Sequence, residues 1–312
     1  MPECYYSCCW PFHMLLIVLC QVIVVTAAQS ADDGRIINAE LMPLVPYQVS
    51  VRLKSIDELD FGAGHICGGS LISQRVVLSA AHCVVDTQAS PMRFRRAAEF
   101  RMVMGNIDLY LPTPYVYNVL YVFCEPTFNI TTLVNDIAVF FMDGSVPNGL
   151  TAVHPIALNF LAIPSGTICL ITGWGVTRSG SSQVSPLLMG AEVPIVSNTI
   201  CAKAYANFKN LTITQGMLCA SNMQMDSADA CQGDSGGPLV CSDGTLAGIV
   251  SWGNGCAQYG YPGIYTNISN YIKYIKYVNS TLDYGYYESA SNPLLAPYFI
   301  TLLLLLMTLR MM

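Results

Sequence analysis

The stretch Cys231–Leu239 places a single serine on a short turn that is rich in glycine. The hydroxyl of Ser235 is a poor nucleophile at neutral pH. It attacks a carbonyl only with a base beside it and with hydrogen-bond donors facing the oxyanion that forms. Gly233, Gly236 and Gly237 allow the backbone to approach a substrate closely and to adopt strained dihedral angles. This segment therefore predicts a nucleophilic serine.

A histidine base is available in a suitable context. The chain has only four histidines, and His82 lies in the segment Leu78–Cys83, directly after an apolar run. A lone histidine is more often an ordinary surface or core residue. The other three, His13, His65 and His154, have no comparable context and are interpreted in that way. His82 is therefore the candidate base.

A carboxylate that could orient the imidazole lies between these two residues in chain order. Asp136 leads into the hydrophobic run Ile137–Phe140. An aspartate at the start of a strand is commonly a turn or cap residue. A carboxylate can also hold an imidazole in one tautomer and stabilise its charged form. The order of the three residues favours this second interpretation.

These segments resemble the nucleophile, histidine and aspartate motifs of the chymotrypsin-like (trypsin-type) serine peptidases, and the resemblance covers roughly residues 36 to 278. It implies a catalytic triad of His82, Asp136 and Ser235. The backbone N–H groups of Gly233 and Ser235 would form the oxyanion hole. The implied fold is all-β, with two six-stranded antiparallel β-barrels, a C-terminal helix and an active site between the barrels. The implied reaction is peptide hydrolysis through an acyl-enzyme, with no cofactor.

The resemblance also implies a specificity pocket beside the serine. Asp229 would lie at its base, where a carboxylate favours a guanidinium or ammonium group by charge and hydrogen bonding. An aspartate in a polar loop is otherwise an ordinary exposed acid. Gly253 and Gly263 match the glycines that keep the pocket walls open in trypsin, so that a long side chain can enter. Cleavage of protein or peptide substrates after Arg or Lys is the resulting expectation.

Two further features refine this pocket. By resemblance, Ser251, Trp252 and Gly253 would pair with the backbone of an extended substrate. Ala230 stands where trypsin has a serine whose hydroxyl helps to hold a lysine ammonium. Because Arg still reaches the carboxylate with two parallel hydrogen bonds while Lys is a shorter point charge, we predict a preference for Arg over Lys.

The stretch from Arg35 to Glu40 resembles a zymogen junction. Cleavage after Arg35 would free the amine of Ile36, which in the family enters the protein and pairs with the acid before the nucleophile, here Asp234. Such a buried ion pair acts as a switch because neither partner is cheaply buried alone. The chain has Asn38 and Ala39 where trypsins have two glycines, which is a departure from the family pattern.

Both ends of the chain are apolar. The first 28 residues predict a signal peptide, with an uncleaved signal anchor as the alternative because no Lys or Arg precedes the apolar core. The uncharged residues 289–309 predict the removed tail of a glycolipid (GPI) anchor, with a spanning helix or a soluble product as alternatives. The predicted protein is extracellular and held at the cell surface. The predicted domains are a signal peptide (1–28), an activation propeptide (29–35), the peptidase domain (36–280), and a stalk with a hydrophobic membrane-anchor segment (281–312).

Cysteines and sequons indicate the same secretory route. Nine of the thirteen cysteines follow the leader. Cys124 would be either a buried free thiol or an intermolecular link. Disulfides require an oxidising compartment. By resemblance, the other eight pair as Cys67–Cys83, Cys169–Cys241, Cys201–Cys219 and Cys231–Cys256. The candidate glycosylation sites are Asn129, Asn210, Asn267 and Asn279.

Composition excludes several other classes of protein. The net charge of −6 and the lack of a long basic run argue against a nucleic-acid partner. No metal-ligand spacing of cysteine and histidine is present, and the loop 105–112 has a single acid, so we expect neither a metal site nor bound calcium. Protein inhibitors are candidate partners. The alternative function is that of a catalytically silent homologue that binds other proteins, although silent homologues usually lack a triad residue.

Short β-rich runs between turn residues predict a sandwich or barrel. Near the end of the domain, Ser269 is a candidate cap for a helix through Tyr271–Val278, in which isoleucines repeat at helical spacing. The crossover between the barrels is expected around Val146–Pro155. The predicted strands are Gln48–Leu53, His65–Ile72, Arg75–Ser79, Val119–Phe123, Ile137–Phe141, Thr167–Thr172 and Leu246–Trp252.

Overall fold

The computed structural model describes residues 39–176, 183–209, 211–223 and 230–281. Within these ranges the chain forms two closed antiparallel β-barrels of six strands each, followed by a helix. This confirms the fold class that the resemblance implies. Arg35, Ile36, Asn210, Asp229 and both apolar ends of the chain lie outside the described residues.

The first part of the chain contains the strands β1 (Glu40–Leu41), β2 (Gln48–Leu53), β3 (His65–Leu71), β4 (Val76–Ser79), β5 (Val85–Asp86), β6 (Arg93–Phe94), β7 (Phe100–Met104), β8 (Val116–Cys124) and β9 (Ala138–Met142). Six of them form the first barrel in the order β2-β3-β4-β9-β8-β7, and β7 pairs back with β2 to close it. Helix α1 (Lys54–Asp57) and two 3₁₀ turns, Ala81–Val84 and Ala97–Glu99, lie between strands. Strands β5 and β6 form a separate small hairpin.

The second barrel is formed by the later strands β10 (Ile168–Gly173), β11 (Met189–Val196), β12 (Met217–Ala220), β13 (Pro238–Cys241), β14 (Leu246–Trp252) and β15 (Gly263–Asn267). Its order is β11-β10-β13-β14-β15-β12, closed by pairing of β12 with β11, and β1 adds to the outer edge of β11. Helix α2 (Asn198–Ala204) precedes β12, and helix α3 (Ile268–Thr281) follows β15.

Apolar strand residues fill the interior of each barrel. Phe100 and Phe140 are fully buried in the first barrel and pack edge to face, with ring centroids 5.3 Å apart. Val193, Leu239 and Tyr265 are fully buried in the second. Burial of each such side chain contributes roughly 1.5–3 kcal/mol relative to exposure. Two rigid barrels result, and the loops at their junction can position reactive groups.

Most of the predicted strands lie close to their predicted bounds. Gln48–Leu53 and Leu246–Trp252 are strands with the bounds predicted from sequence. The prediction Val119–Phe123 was too short, because pairing with β7 and β9 extends this strand to Val116–Cys124. The connection between the barrels runs from residue 143 to 167 and includes the predicted crossover.

The cap predicted for the last helix was wrong. The helix begins at Ile268, so Ser269 lies inside its first turn and its Oγ donates to Asn267 Oδ1 at 2.9 Å. Ile268 is fully buried against the first-barrel core, and this packing fixes the start of the helix. Across the described ranges, no helix has the length and apolar character needed to cross a membrane.

Candidate active site

His82 and Asp136 meet at one end of a strand pair. Ser79, the last residue of β4, lies opposite Ala138, the first residue of β9. The chain after β4 turns into the 3₁₀ segment that carries His82, and Asp136 lies two residues before β9. His82 Nδ1–H donates to Asp136 Oδ2 at 2.7 Å, and the backbone N–H of His82 donates to Asp136 Oδ1 at 2.9 Å. The carboxylate therefore fixes both the position and the tautomer of the imidazole.

The second barrel also holds Asp136. The hydroxyl of Ser251 donates to Asp136 Oδ2 at 2.6 Å, and the hydroxyl of Thr266 donates to the backbone carbonyl of Asp136 at 2.6 Å. Asp136 is 1% exposed. A buried carboxylate is costly unless it is hydrogen-bonded, and here three donors reach its two oxygens.

The electrostatics of His82 suit a general base. Burial disfavours the charged imidazole, but the negative charge of Asp136 and its hydrogen bond outweigh burial and raise the pKa of His82 above its ordinary value. The side chain keeps 20% of its surface exposed, so a substrate can reach it. Asp136 therefore stabilises the imidazolium that proton transfer would create.

The turn that carries Ser235 is held against the segment before His82. The N–H of Gly68 donates to the carbonyl of Ser235 at 2.8 Å. Gly236 has a φ of +79° and lies so close to Ser79 that a side chain would collide with the Ser79 hydroxyl. The disulfide between Cys67 and Cys83 ties the neighbouring residues together. These contacts bring the serine backbone alongside the residues that lead to the histidine.

In the part of the chain that the structure describes, no hydrogen bond joins the Ser235 hydroxyl to His82. Catalytic hydrogen bonds are often long before substrate binds and shorten in the complex.

A cavity of about 210 Å³ opens beside Ser235. An ideal Cβ on Gly253 would lie 3.9 Å from the Cα of Gly263, so the two glycines face each other across the cavity without side chains to narrow it. Asp229, which is predicted to lie at the bottom of the specificity pocket, is outside the described residues. The predicted pocket residues that line the cavity with Ser235 are Ala230, Ser251, Trp252, Gly253 and Gly263.

Comparison with known proteins agrees with this geometry. The trypsin family model matches residues 38–275. The chain belongs to the trypsin family of serine peptidases. It is 37% identical to trypsin of Sus scrofa over 78% of this chain and 96% of that protein. It is also 37% identical to trypsin II-P29 of Gallus gallus (84% of this chain, 96% of that protein) and to trypsin zeta of Drosophila melanogaster (77% and 84%). Membership supports a serine endopeptidase that acts on protein substrates.

The four disulfides among the described residues fit the extracellular location that is typical of trypsin-family proteins. Cys124 is a free thiol that is partly buried, and burial, followed by the charge of Asp136, raises its pKa to about 12. The sulfurs of Cys67 and Cys83 lie near His82, but they are bonded to each other and are not thiolate ligands for a metal. The disulfide pairs are Cys67–Cys83, Cys169–Cys241, Cys201–Cys219 and Cys231–Cys256, the pairs that the resemblance implies.

Asp234 precedes Ser235 in the turn that carries the serine. It is 3% exposed, and its carboxylate accepts hydrogen bonds from the N–H groups of Gly175 at 2.7 Å and Cys231 at 2.9 Å. Burial raises its pKa to about 6 despite these two donors. The backbone dipoles only partly compensate for burial of this carboxylate, which would be further stabilised by a cation.

His65 is a site residue that sequence reasoning missed. Its Nε2–H donates to the carbonyl of Gly233 at 3.1 Å, and its Nδ1 accepts from the hydroxyl of Ser50 at 2.8 Å. Burial, opposed by the Gly233 hydrogen bond, lowers the pKa of His65 to about 4, so this imidazole is neutral near pH 7. The available signal was its position two residues before Cys67, which forms a disulfide with Cys83, the residue after His82.

The sequons differ in accessibility. Asn129 and Asn279 are exposed, whereas Asn267 is partly buried and its amide donates to the carbonyl of Gln215 at 3.3 Å. Asn210 lies outside the described residues. Asn129 and Asn279 are therefore the more accessible acceptors.

Proposed function

We propose that this chain is a secreted or cell-surface endopeptidase, made as a zymogen, that cleaves peptide bonds after Arg and less efficiently after Lys. The observation that carries the proposal is the hydrogen-bonded set of His82, Asp136 and Ser251 beside the Ser235 turn and its open cavity. This arrangement supplies a base, its orienting carboxylate and a slot for a side chain.

In the proposed reaction, Ser235 Oγ bonds to the scissile carbonyl carbon while its proton passes to His82 Nε2. The N–H groups of Gly233 and Ser235 bind the oxyanion, and loss of one such donor costs on the order of 10²–10³ in rate. The C–N bond then breaks as His82 returns the proton to the leaving amine. Water, deprotonated by His82, attacks the acyl-enzyme and releases the new carboxylate, and Ser235 recovers its proton.

Activation would follow cleavage after Arg35, because the new amine of Ile36 can enter and pair with Asp234. The support is that Asp234 is buried with two backbone donors and a pKa raised by that burial, so a cation beside it would be strongly stabilised. Full activity of a correctly cleaved Ile36→Ala protein would contradict this switch.

The preference for Arg rests on Asp229, which the family resemblance would put at the base of the pocket, and on Ala230, which lines the cavity and lacks a hydroxyl. Matched peptides that differ only in Arg, Lys or Phe before the cut test it, using protein cleaved after Arg35. We expect kcat/KM in the order Arg, Lys, Phe, and an Ala230→Ser variant should improve Lys relative to Arg by about tenfold, because a hydroxyl adds a hydrogen bond to the ammonium. Equal values for Arg and Lys in the wild type would refute the preference.

Membrane attachment is a separate part of the proposal and rests on the uncharged segment 289–309. A glycolipid anchor predicts release of the protein from cells by a phosphatidylinositol-specific phospholipase. Retention on the membrane after this treatment would favour a spanning helix, and recovery in the medium without treatment would favour a soluble product.

A further inference from the structure

A continuous run of polar side chains, buried except for the partly buried His65, leads from helix α1 to the turn that carries Ser235. Arg52 Nη1 donates to Asp57 Oδ1 at 2.8 Å, and Arg52 Nε donates to Ser50 Oγ at 2.9 Å. The Ser50 hydroxyl donates to His65 Nδ1, and His65 Nε2 donates to the carbonyl of Gly233. Arg52 and Asp57 are each 2% exposed and Ser50 is 1% exposed, so solvent does not compete for these bonds.

The direction of the bonds follows from the chemistry of the groups. A guanidinium can only donate, so the Ser50 oxygen accepts from Arg52 and has its hydroxyl proton available for the next partner. The Gly233 carbonyl can only accept, so His65 must carry its proton on Nε2. Nδ1 of the neutral ring then accepts from Ser50. Hydrogen bonds that run in one direction polarise one another, so each strengthens the next.

Gly233 needs such external support. Its φ is +99°, and a glycine has several other accessible backbone conformations. On one side of it, the carbonyl of Gln232 accepts from the N–H of Val176 at 2.7 Å, which orients the peptide group that carries the Gly233 N–H. On the other side, His65 holds the Gly233 carbonyl. Together these two bonds limit rotation about Gly233 and keep its N–H aimed in one direction.

Arg52 is itself held rigidly. Besides Asp57, its guanidinium donates to the carbonyl of Leu109 at 2.9 Å and lies 4.6 Å from the centre of the Phe61 ring. Asp57 is fixed in turn by the N–H of Gly62 at 2.9 Å and by Arg101 Nη1 at 3.1 Å. The Nε–H of Arg52 is the donor that bonds Ser50 and so leads toward the active site.

We propose that Arg52 is a positioning residue for the oxyanion hole, acting through Ser50 and His65 on Gly233, with Asp57 as its anchor. The catalytic effect of this positioning rests on the proposed function. The positive charge of Arg52 also disfavours a second proton on His65. It therefore keeps the ring neutral, as this relay of hydrogen bonds from Arg52 through Ser50 and His65 to Gly233 requires.

The test compares Ser50→Ala, Arg52→Met and Arg101→Met in protein cleaved after Arg35. Ser50→Ala breaks the relay but leaves the ion pair of Arg52 and Asp57 in place. Arg101→Met is the matched control because Arg101 also bonds Asp57 but does not contact Ser50. Affinity for benzamidine, a cation that needs only the side-chain pocket, reports that each variant is folded.

We expect kcat to fall about tenfold or more in Ser50→Ala and Arg52→Met, with KM little changed. This loss in kcat should be smaller than the roughly 10²–10³-fold loss that follows removal of an oxyanion donor itself. Affinity for a peptide aldehyde, which forms an oxyanion on binding, should fall in parallel while benzamidine affinity stays constant. Equal losses in Arg52→Met and Arg101→Met, or an unchanged aldehyde affinity in Ser50→Ala, would overturn the inference.

Nitrogen NMR of the His65 ring tests the relay of hydrogen bonds without a measurement of activity. An inactive wild type would refute the proposed function but not the relay. The wild type should show a neutral ring protonated at Nε2 at pH 7. Ser50→Ala should show a mixture of tautomers, and Arg101→Met should resemble the wild type. A ring protonated at Nδ1 in the wild type would overturn the relay.

Discussion

The hydroxyl of Ser251 donates a 2.6 Å hydrogen bond to Oδ2 of Asp136, the same oxygen that accepts from His82. One carboxylate oxygen therefore joins the pocket wall of the second barrel to the histidine of the first. On the proposed function, this atom would couple substrate binding along Ser251 to the basicity of His82.

Ser251→Ala should raise the pKa of His82. Without the hydroxyl, the negative charge on Asp136 is less stabilised and attracts the imidazole proton more strongly. Because the base must be neutral to act, the acidic limb of the kcat/KM profile should move to higher pH, and activity at pH 7 should fall by about tenfold or less. An unchanged limb would show that the bond does not affect the base.

Asp136→Asn should shift the same limb in the opposite direction. The aspartate charge raises the pKa of His82 against the effect of burial, so its removal leaves burial to lower that pKa. The variant should also lose on the order of 10⁴ in kcat, because the amide favours the wrong imidazole tautomer. A limb that moved to higher pH in both variants would contradict this electrostatic account.

Gly236→Ala should disrupt the contact between the serine turn and the segment before His82. An added Cβ would collide with the Ser79 hydroxyl and approach the carbonyl of Gly68 to 2.6 Å. Gly244→Ala is the matched control, since its φ of +77° is close to the +79° of Gly236 and its Cβ would meet nothing within 4 Å.

The control variant should lose about 1–2 kcal/mol of unfolding free energy from backbone strain alone and keep its activity. Gly236→Ala should lose clearly more stability and most of its activity. Chemical unfolding and kcat/KM measure both, and equal behaviour of the two variants would contradict the proposed close approach.

Stability should depend on His65 in acid. Its pKa is about 4 in the folded protein, below the ordinary value of 6.5, so the unfolded chain takes up a proton first as pH falls. The contribution of the neutral His65 ring to the free energy of unfolding is complete above about pH 6.5 and is lost as pH falls towards 4. It amounts to at most about 3 kcal/mol.

Unfolding free energies of the wild type and His65→Gln between pH 7 and 4 check this prediction. The advantage of the wild type over the variant should shrink across this range. A constant difference between the wild type and His65→Gln across this range would contradict burial of a neutral ring.

The parts of the fold that depend on local pattern could be predicted from sequence. The strand Gln48–Leu53 combines β-branched residues with turn residues nearby, so its bounds follow from the chain itself. The start of the last helix could not be predicted, because burial of Ile268 in the first-barrel core, and not a capping side chain, decides it.

The same distinction applies to the site. His82, Asp136 and Ser235 lie in segments whose sequences are informative on their own. The bonds from Ser50 to His65 and from His65 to Gly233 carry no local signal, because they link groups that are 15 and 168 residues apart in the chain. Only folding of the two barrels brings these groups together.

Covalent labelling of Ser235 tests the central claim most directly. A peptide phosphonate with an Arg-like side chain, added to protein cleaved after Arg35, should form an adduct that mass spectrometry locates on Ser235. His82→Ala should slow labelling by several orders of magnitude, and Ser235→Ala should abolish it. Absence of an adduct on folded, cleaved protein, or labelling that does not depend on His82, would contradict the account.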